Sequence, residues 1–377
     1  MATTVSPTTA TTVPSEEERA AIIAGCIRVL SGHPPRSIKE TLLALSEATN
    51  LDDDWDLYGV GKTVAAFESE IATLLGKEAA VFLPTGTMTQ QIALRIWADH
   101  TSRHTVAFHP MCHVETREEK AYQLLHGLHA HLVGDPKRLM TLADLESTAD
   151  PLAAVLWELP QRDLGGQLPQ WDDLLAQTAW AHEHGAMAHM DGARLWESAP
   201  FYGRSYAEIA APFDSVYVSF YKGLGAMSGS ALAGSADFIA AARVWQKRHG
   251  GTLFHIAPYV LSARQSLHAR LDRFPAYHER AVQIAAVLAA ILGIRVQPDP
   301  PQTHMMHVYL EGDPDRLTAT GYALMRETRV NIFRALYPTD VPGISMFELS
   351  IGDGAFAVTD DEIRDLFTRV MSNSFLT

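Results

Sequence analysis

The sequence predicts an α/β fold, with a large domain built on a mainly parallel sheet covered by helices and a smaller α+β domain. Two observations predict it. Short apolar runs alternate with helical stretches through the middle of the chain, the pattern of a sheet buried on both faces. The residues best suited to chemistry, Gly86, His113, Asp191 and Lys222, each fall just after such a run, and parallel sheets bind ligands at the carboxyl ends of their strands. With 377 residues, 47% hydrophobic and 20% charged, the chain is long enough for a sizeable core and two domains.

The first helix follows Ser15, where Ser15-Glu16-Glu17-Glu18 has the form of a capping box. A loop through Gly32-His33-Pro34-Pro35 leads to a helix over Ser37 to Glu47, then the acidic turn Asp52-Asp53-Asp54 and a helix over Thr63 to Leu75. Strands are expected at 79–83, 105–108, 153–158, 186–190, 215–219 and 231–234, separated by helices such as Met88 to Ala98 and Trp171 to His184. Helices over 257–271 and 276–291 are followed by strand 305–310, helix 315–327, strand 346–351 and helix 360–371. This divides the chain into a disordered tail (1–14), N-terminal helices joining the small domain (15–54), a large ligand-binding domain (55–271) and a small C-terminal α+β domain (272–377).

Composition excludes several classes. A formal charge of -14, with scattered basic residues, argues against a nucleic-acid partner and for a small-molecule one. Cys26 and Cys112 are too few for a disulfide scaffold, no apolar run reaches membrane-spanning length, and Met1 to Pro14 lacks the apolar core of a signal peptide. A cytoplasmic protein is expected. His126, His129 and His131, at alternating spacing, read as the solvent-facing side of one strand rather than a metal site, and no metal is expected.

Lys222, in Ser219-Phe220-Tyr221-Lys222-Gly223-Leu224-Gly225, lies at a strand-to-loop edge and is followed by small residues that let a ligand approach. Asp191 ends another strand in Ala188-His189-Met190-Asp191-Gly192-Ala193-Arg194. A lysine able to form a Schiff base and a carboxylate able to keep a pyridine nitrogen protonated are what pyridoxal phosphate chemistry requires. Alone, Asp191 would read as a turn carboxylate. Pro84-Thr85-Gly86-Thr87-Met88 opens a helix after a strand, so its free amides and the Thr85 or Thr87 hydroxyls could hold a phosphate, although such a start is more often a simple cap. Arg194 suits a substrate carboxylate, with an ion pair to Glu197 as the bland alternative. His113 could stack on a flat cofactor or move a proton.

Taken in order, these motifs resemble the threonine aldolases and β-eliminating lyases of the aspartate-aminotransferase fold, that is PLP fold type I. The resemblance spans roughly residues 25–375 and rests on Tyr58-Gly59 with Glu68, Leu75-Gly76-Lys77-Glu78-Ala79, Pro84-Thr85-Gly86-Thr87-Met88, His113 with Glu118, His189-Met190-Asp191-Gly192-Ala193-Arg194-Leu195, and Lys222-Gly223-Leu224-Gly225 with Gly229-Ser230. It implies pyridoxal 5'-phosphate on Lys222, Asp191 against the pyridinium nitrogen, His113 over the ring and serving as base, phosphate at Gly86 and Thr87, and Arg194 on the substrate carboxylate. It also implies cleavage of a β-hydroxy amino acid to glycine and an aldehyde, in a homodimer or homotetramer with shared active sites.

Four positions depart from the family pattern. Val29 stands where a serine contacts the substrate carboxylate, with Ser31 or His33 close enough in sequence to compensate. Tyr221 replaces the serine before the Schiff-base lysine, Phe254 a phosphate-contacting arginine, and Glu348 the small-domain arginine that clamps the substrate carboxylate. A carboxylate facing a carboxylate is repulsive when both are desolvated. Three readings therefore remain: a divergent aldolase, another reaction on the same scaffold (β-elimination, racemisation or transamination) with Glu348 facing an amine-bearing substrate, and a non-catalytic PLP-binding protein. Tyr58, Ser31, His33, Arg194 and Glu348 are the candidate substrate contacts.

Overall fold

A computed structural model describes residues 12–48 and 55–372. Most of the expected tail and the acidic turn Asp52-Asp53-Asp54 lie outside the described residues. The chain divides into two units, residues 1–35 with 275–377 and residues 36–274. The division falls at 35/36 and 274/275, where the sequence suggested 54/55 and 271/272. Helix Ile38–Ala48 thus belongs to the larger unit, where Gln265 Nε2 donates to the Ala44 carbonyl at 3.2 Å. Its start is closed by Ser37 and Glu40, whose side chains each accept from the other's backbone amide.

The larger unit is organised on seven strands: β1 (Ala79–Leu83), β2 (Thr105–Phe108), β3 (His129–Leu132), β4 (Ala154–Glu158), β5 (Met187–Gly192), β6 (Ser215–Ser219) and β7 (Ser230–Gly234). Their order is β1-β7-β6-β5-β4-β2-β3. Only β7 runs antiparallel to its neighbours, so the carboxyl ends of β1, β2, β4, β5 and β6 share one edge.

Strand alternation decides which helix covers which face. His189 and Ser215 face helix Gly86–Thr101, where His189 Nε2 meets Gln90 Oε1 at 2.7 Å and Trp97 Nε1 donates to Ser215 Oγ at 2.7 Å. His189 Nδ1 meets the same Ser215 hydroxyl at 2.7 Å, and burial lowers its pKa to about 3, so the ring is a neutral hydrogen-bond bridge. Phe82 and Trp157 point to the opposite face. Helix Lys62–Leu74 packs Phe67 against Phe82, and helix Trp171–Glu183 offers Gln177 Oε1 to Trp157 Nε1 at 2.8 Å.

Glu68 ties that layer down. Its buried carboxylate accepts from the Phe82 amide at 2.8 Å and from both terminal nitrogens of Arg243. Asp56 plays a similar part near the start of helix Ala257–Arg270, accepting from the amides of Gly59, Ile256 and Ala257.

The expected histidine strand is corrected in part. His129 and His131 do lie on β3, but His126 ends the preceding helix and is buried against Trp245 and His249. Burial first, then the charge of His249, lowers its pKa to about 4.

In the smaller unit, strands 337–338, 344–350, 305–311 and 294–297 form an antiparallel sheet in that order, with helices Glu16–Gly25, Pro314–Thr328 and Asp360–Ser372. The Ser15 capping box is present. The strand at 294–297 has no counterpart in the sequence reading, because its four residues follow a helix without a long apolar run.

Candidate active site

The shared strand edge brings side chains of the larger unit together. Glu158, Asp191 and Tyr217 are register partners across β4, β5 and β6, so they project side by side from one face. This row joins an acidic end to a hydroxyl-rich end.

At the acidic end Asp191 is 2% exposed, and its carboxylate accepts from the Ala193 amide at 3.0 Å, so the simple turn role is also present. Donor atoms of Asp191, Glu158 and Cys112 lie within 4.8 Å of one another. Glu158 accepts from the amides of His113 (3.0 Å) and Arg162 (3.1 Å). Even so, burial and then the Asp191 charge raise its pKa to about 7. The Cys112 thiol, pushed well above its usual range by burial and then by Glu158, stays protonated.

His113 starts a short helix after β2. Its Nδ1 lies 2.9 Å from Glu118 Oε1, and Gln91 Nε2 donates to Glu118 Oε2 at 2.8 Å. With the buried carboxylate as acceptor, Nδ1 carries the proton and Nε2 is left for chemistry.

Lys222 follows β6. Burial, followed by the charge of Arg194, lowers its pKa, while Asp191, Glu158 and Glu197 oppose the shift. A larger share of neutral amine at neutral pH suits a nucleophile. Arg194 forms the anticipated pair with Glu197 at 3.8 Å, but in a largely buried setting rather than at the surface.

At the other end, Thr85 caps helix Gly86–Thr101 by accepting from the Met88 amide at 3.3 Å. As at any helix start, first-turn amides lack intrahelical acceptors and carry the positive end of the helix dipole. A Cβ built on Gly86 would lie 1.9 Å from the Tyr217 hydroxyl and 3.0 Å from the Tyr221 hydroxyl, so only glycine fits between them. Tyr58 has φ 52° and is exposed. Its amide donates to the Phe254 carbonyl at 3.0 Å, and the two rings meet edge to face at 5.3 Å.

Ser31, His33 and Glu348 belong to the smaller unit. Ser31 Oγ donates to the Ser350 carbonyl at 3.3 Å, and His33 Nδ1 lies 3.1 Å from Asp353 Oδ2. Asp353 Oδ1 in turn accepts from Tyr277 at 2.6 Å. Glu348 pairs in register with His307. Val29 is buried at the short parallel pairing of 28–29 with 330–331.

The sequence reading missed Glu158, Cys112 and Tyr217. A carboxylate ending the apolar run Ala154–Trp157 was a usable signal for Glu158. For Tyr217 only the cross-strand register and its approach to Gly86 reveal the position.

These groups fit pyridoxal 5'-phosphate: a desolvated amine, a buried carboxylate, and a helix start with two tyrosine hydroxyls packed against its glycine. A beta-eliminating lyase family model matches residues 39–311. A low-specificity L-threonine aldolase of Arabidopsis thaliana is 30% identical over 73% of this chain and 80% of its own. An aldolase of Penicillium aethiopicum is 33% identical over 76% and 75%. Among solved structures, a candidate L-allo-threonine aldolase from Listeria monocytogenes EGD-E superposes with TM-score 0.91 at 38% identity, covering 95% of this chain and 99% of that one. The chain belongs to the threonine aldolase and beta-eliminating lyase family, and it is a pyridoxal 5'-phosphate-dependent lyase of fold type I.

Proposed function

We propose that the enzyme cleaves the Cα–Cβ bond of a β-hydroxy amino acid, releasing glycine and an aldehyde. The observation that carries this is the desolvated Lys222 amine under the influence of the buried Asp191 carboxylate, with His113 held by Glu118 at the same strand edge. The bound cofactor supplies the electron sink for bond cleavage. Asp191 would hold its pyridine nitrogen protonated, and Lys222 would anchor its aldehyde carbon. Thr85, Gly86 and Thr87 bind the phosphate. The free Nε2 of His113 takes the β-hydroxyl proton, with the Glu118 carboxylate stabilising the imidazolium that forms. Arg194 takes the substrate carboxylate.

The test is a panel of the stereoisomers of threonine and phenylserine, scored for glycine and aldehyde in equal amounts. Release of neither product from any of them sinks the proposal.

A second reading is favoured by Glu348, which stands where the family has an arginine. On that reading the substrate bears an amine or guanidinium group, and the reaction is β-elimination, racemisation or transamination. Ammonia, an α-keto acid or loss of optical activity would then replace glycine, and Glu348→Arg would create threonine cleavage that the parent lacks. A visible cofactor band that no amino acid perturbs would instead indicate a non-catalytic PLP-binding protein.

We also infer a cytoplasmic homodimer or homotetramer with shared active sites, supported by the family resemblance. Size-exclusion chromatography with light scattering checks the assembly.

A further inference from the structure

We infer that Tyr221 donates its hydroxyl to the cofactor phosphate, with Tyr217 as the positioning residue that aims it. The inference rests on the phosphate site proposed above at the start of helix Gly86–Thr101.

Three observations converge. Both hydroxyls flank Gly86, the second residue of the Thr85-Gly86-Thr87 turn, within the space a single methyl group would fill. Tyr221 lies close enough to the Tyr217 hydroxyl to push its ionisation upward, and Tyr217 is 3% exposed, so its ring cannot swing away. Ser219 lies between them in sequence and shares the face of Tyr217 by the strand period, and its buried hydroxyl has no protein partner. A buried hydroxyl left open marks a place completed by something the chain itself does not supply.

Charge supports the assignment. Burial, then the neighbouring Tyr221, pushes the Tyr217 hydroxyl well above its usual range, so it remains a neutral donor at any working pH. Neutral hydroxyls donate to a dianion at a helix start alongside the free amides of its first turn. The Phe254 side chain offers no hydrogen-bond donor, whereas the tyrosine pair offers two on the larger unit.

The experiment titrates the full-length chain, stripped of cofactor, with pyridoxal 5'-phosphate and with phosphate-free pyridoxal. Binding is read by tryptophan fluorescence and by the visible band. Tyr221→Phe is expected to weaken the phosphorylated cofactor by about tenfold to a hundredfold, the range for a hydrogen bond to a charged group, while pyridoxal changes by less than about twofold. Tyr217→Phe gives a smaller loss of the same kind, and Tyr221→Ser recovers part of it.

Equal losses for both aldehydes, or no loss for either, overturn the inference. Because Tyr221 is partly exposed, Tyr221→Phe and Tyr221→Ser are decisive even if Tyr217→Phe fails to fold. A visible band that survives Lys222→Ala overturns the Lys222 assignment instead, and the ratio of the two affinities still judges the tyrosines.

Discussion

The two ends of the site meet a charged ligand by opposite means. At one end Cys112, Glu158 and Asp191 crowd together under burial, and the strain of neighbouring carboxylates is relieved by keeping one of them protonated near neutrality. At the other end Thr85, Tyr217 and Tyr221 crowd just as closely around Gly86 without any charge. The acidic end controls where protons sit, and the hydroxyl end controls shape. Register links them, because Glu158, Asp191 and Tyr217 are neighbours across three strands. A change in the strand that carries Asp191 is therefore felt at both.

The largest effect expected from breaking this arrangement comes from Lys222→Ala. The amine belongs to the acidic end electrostatically and to the hydroxyl end by sequence, so its loss should abolish the visible cofactor band and reduce turnover by at least about a thousandfold, measured by absorbance and product release.

Next is Gly86→Ala, which attacks the hydroxyl end alone. The added methyl collides with the buried Tyr217 hydroxyl. Overpacking of this kind costs about 1–3 kcal/mol, to be read by denaturant unfolding, and Gly86→Ala with Tyr217→Phe should recover part of it. Full additivity of the two changes would show that the contact does not matter.

The smallest effect is a pH dependence confined to the acidic end. Glu158 has its folded pKa raised to about 7 from 4.5, so it binds its proton more tightly folded than unfolded. Its favourable contribution is complete below about pH 4.5 and is lost as pH rises through about 7. Glu158→Gln should therefore flatten the stability profile of the cofactor-free protein across that window, by about 1–3 kcal/mol. An unchanged profile would mean that the carboxyl is solvated, and the contrast between the two ends would disappear.

Much of this was legible before any coordinates. Lys222, Asp191, His113 and the Thr85-Gly86-Thr87 turn each follow an apolar run, and six of the seven strands of the large sheet fall where such runs were read. The observed pairing of Arg194 with Glu197 corresponds to the bland alternative to a carboxylate-binding role for Arg194, since three residues separate them. His126 misled because alternation with His129 and His131 mimics a strand, and a helix end at Gly127 interrupts it.

By itself the sequence determined the fold class and the family, and it singled out Lys222 and Asp191 as the residues proposed to hold the two reactive poles of the cofactor, because those follow from hydrophobic period and local turn chemistry. Only the tertiary structure decided that Glu158 sits beside Asp191, that Tyr217 rather than a neighbour fills the space at Gly86, and that Ser219 is buried without a partner. These depend on strand order and register, which join residues tens of positions apart, and no local pattern encodes which strand lies next to which.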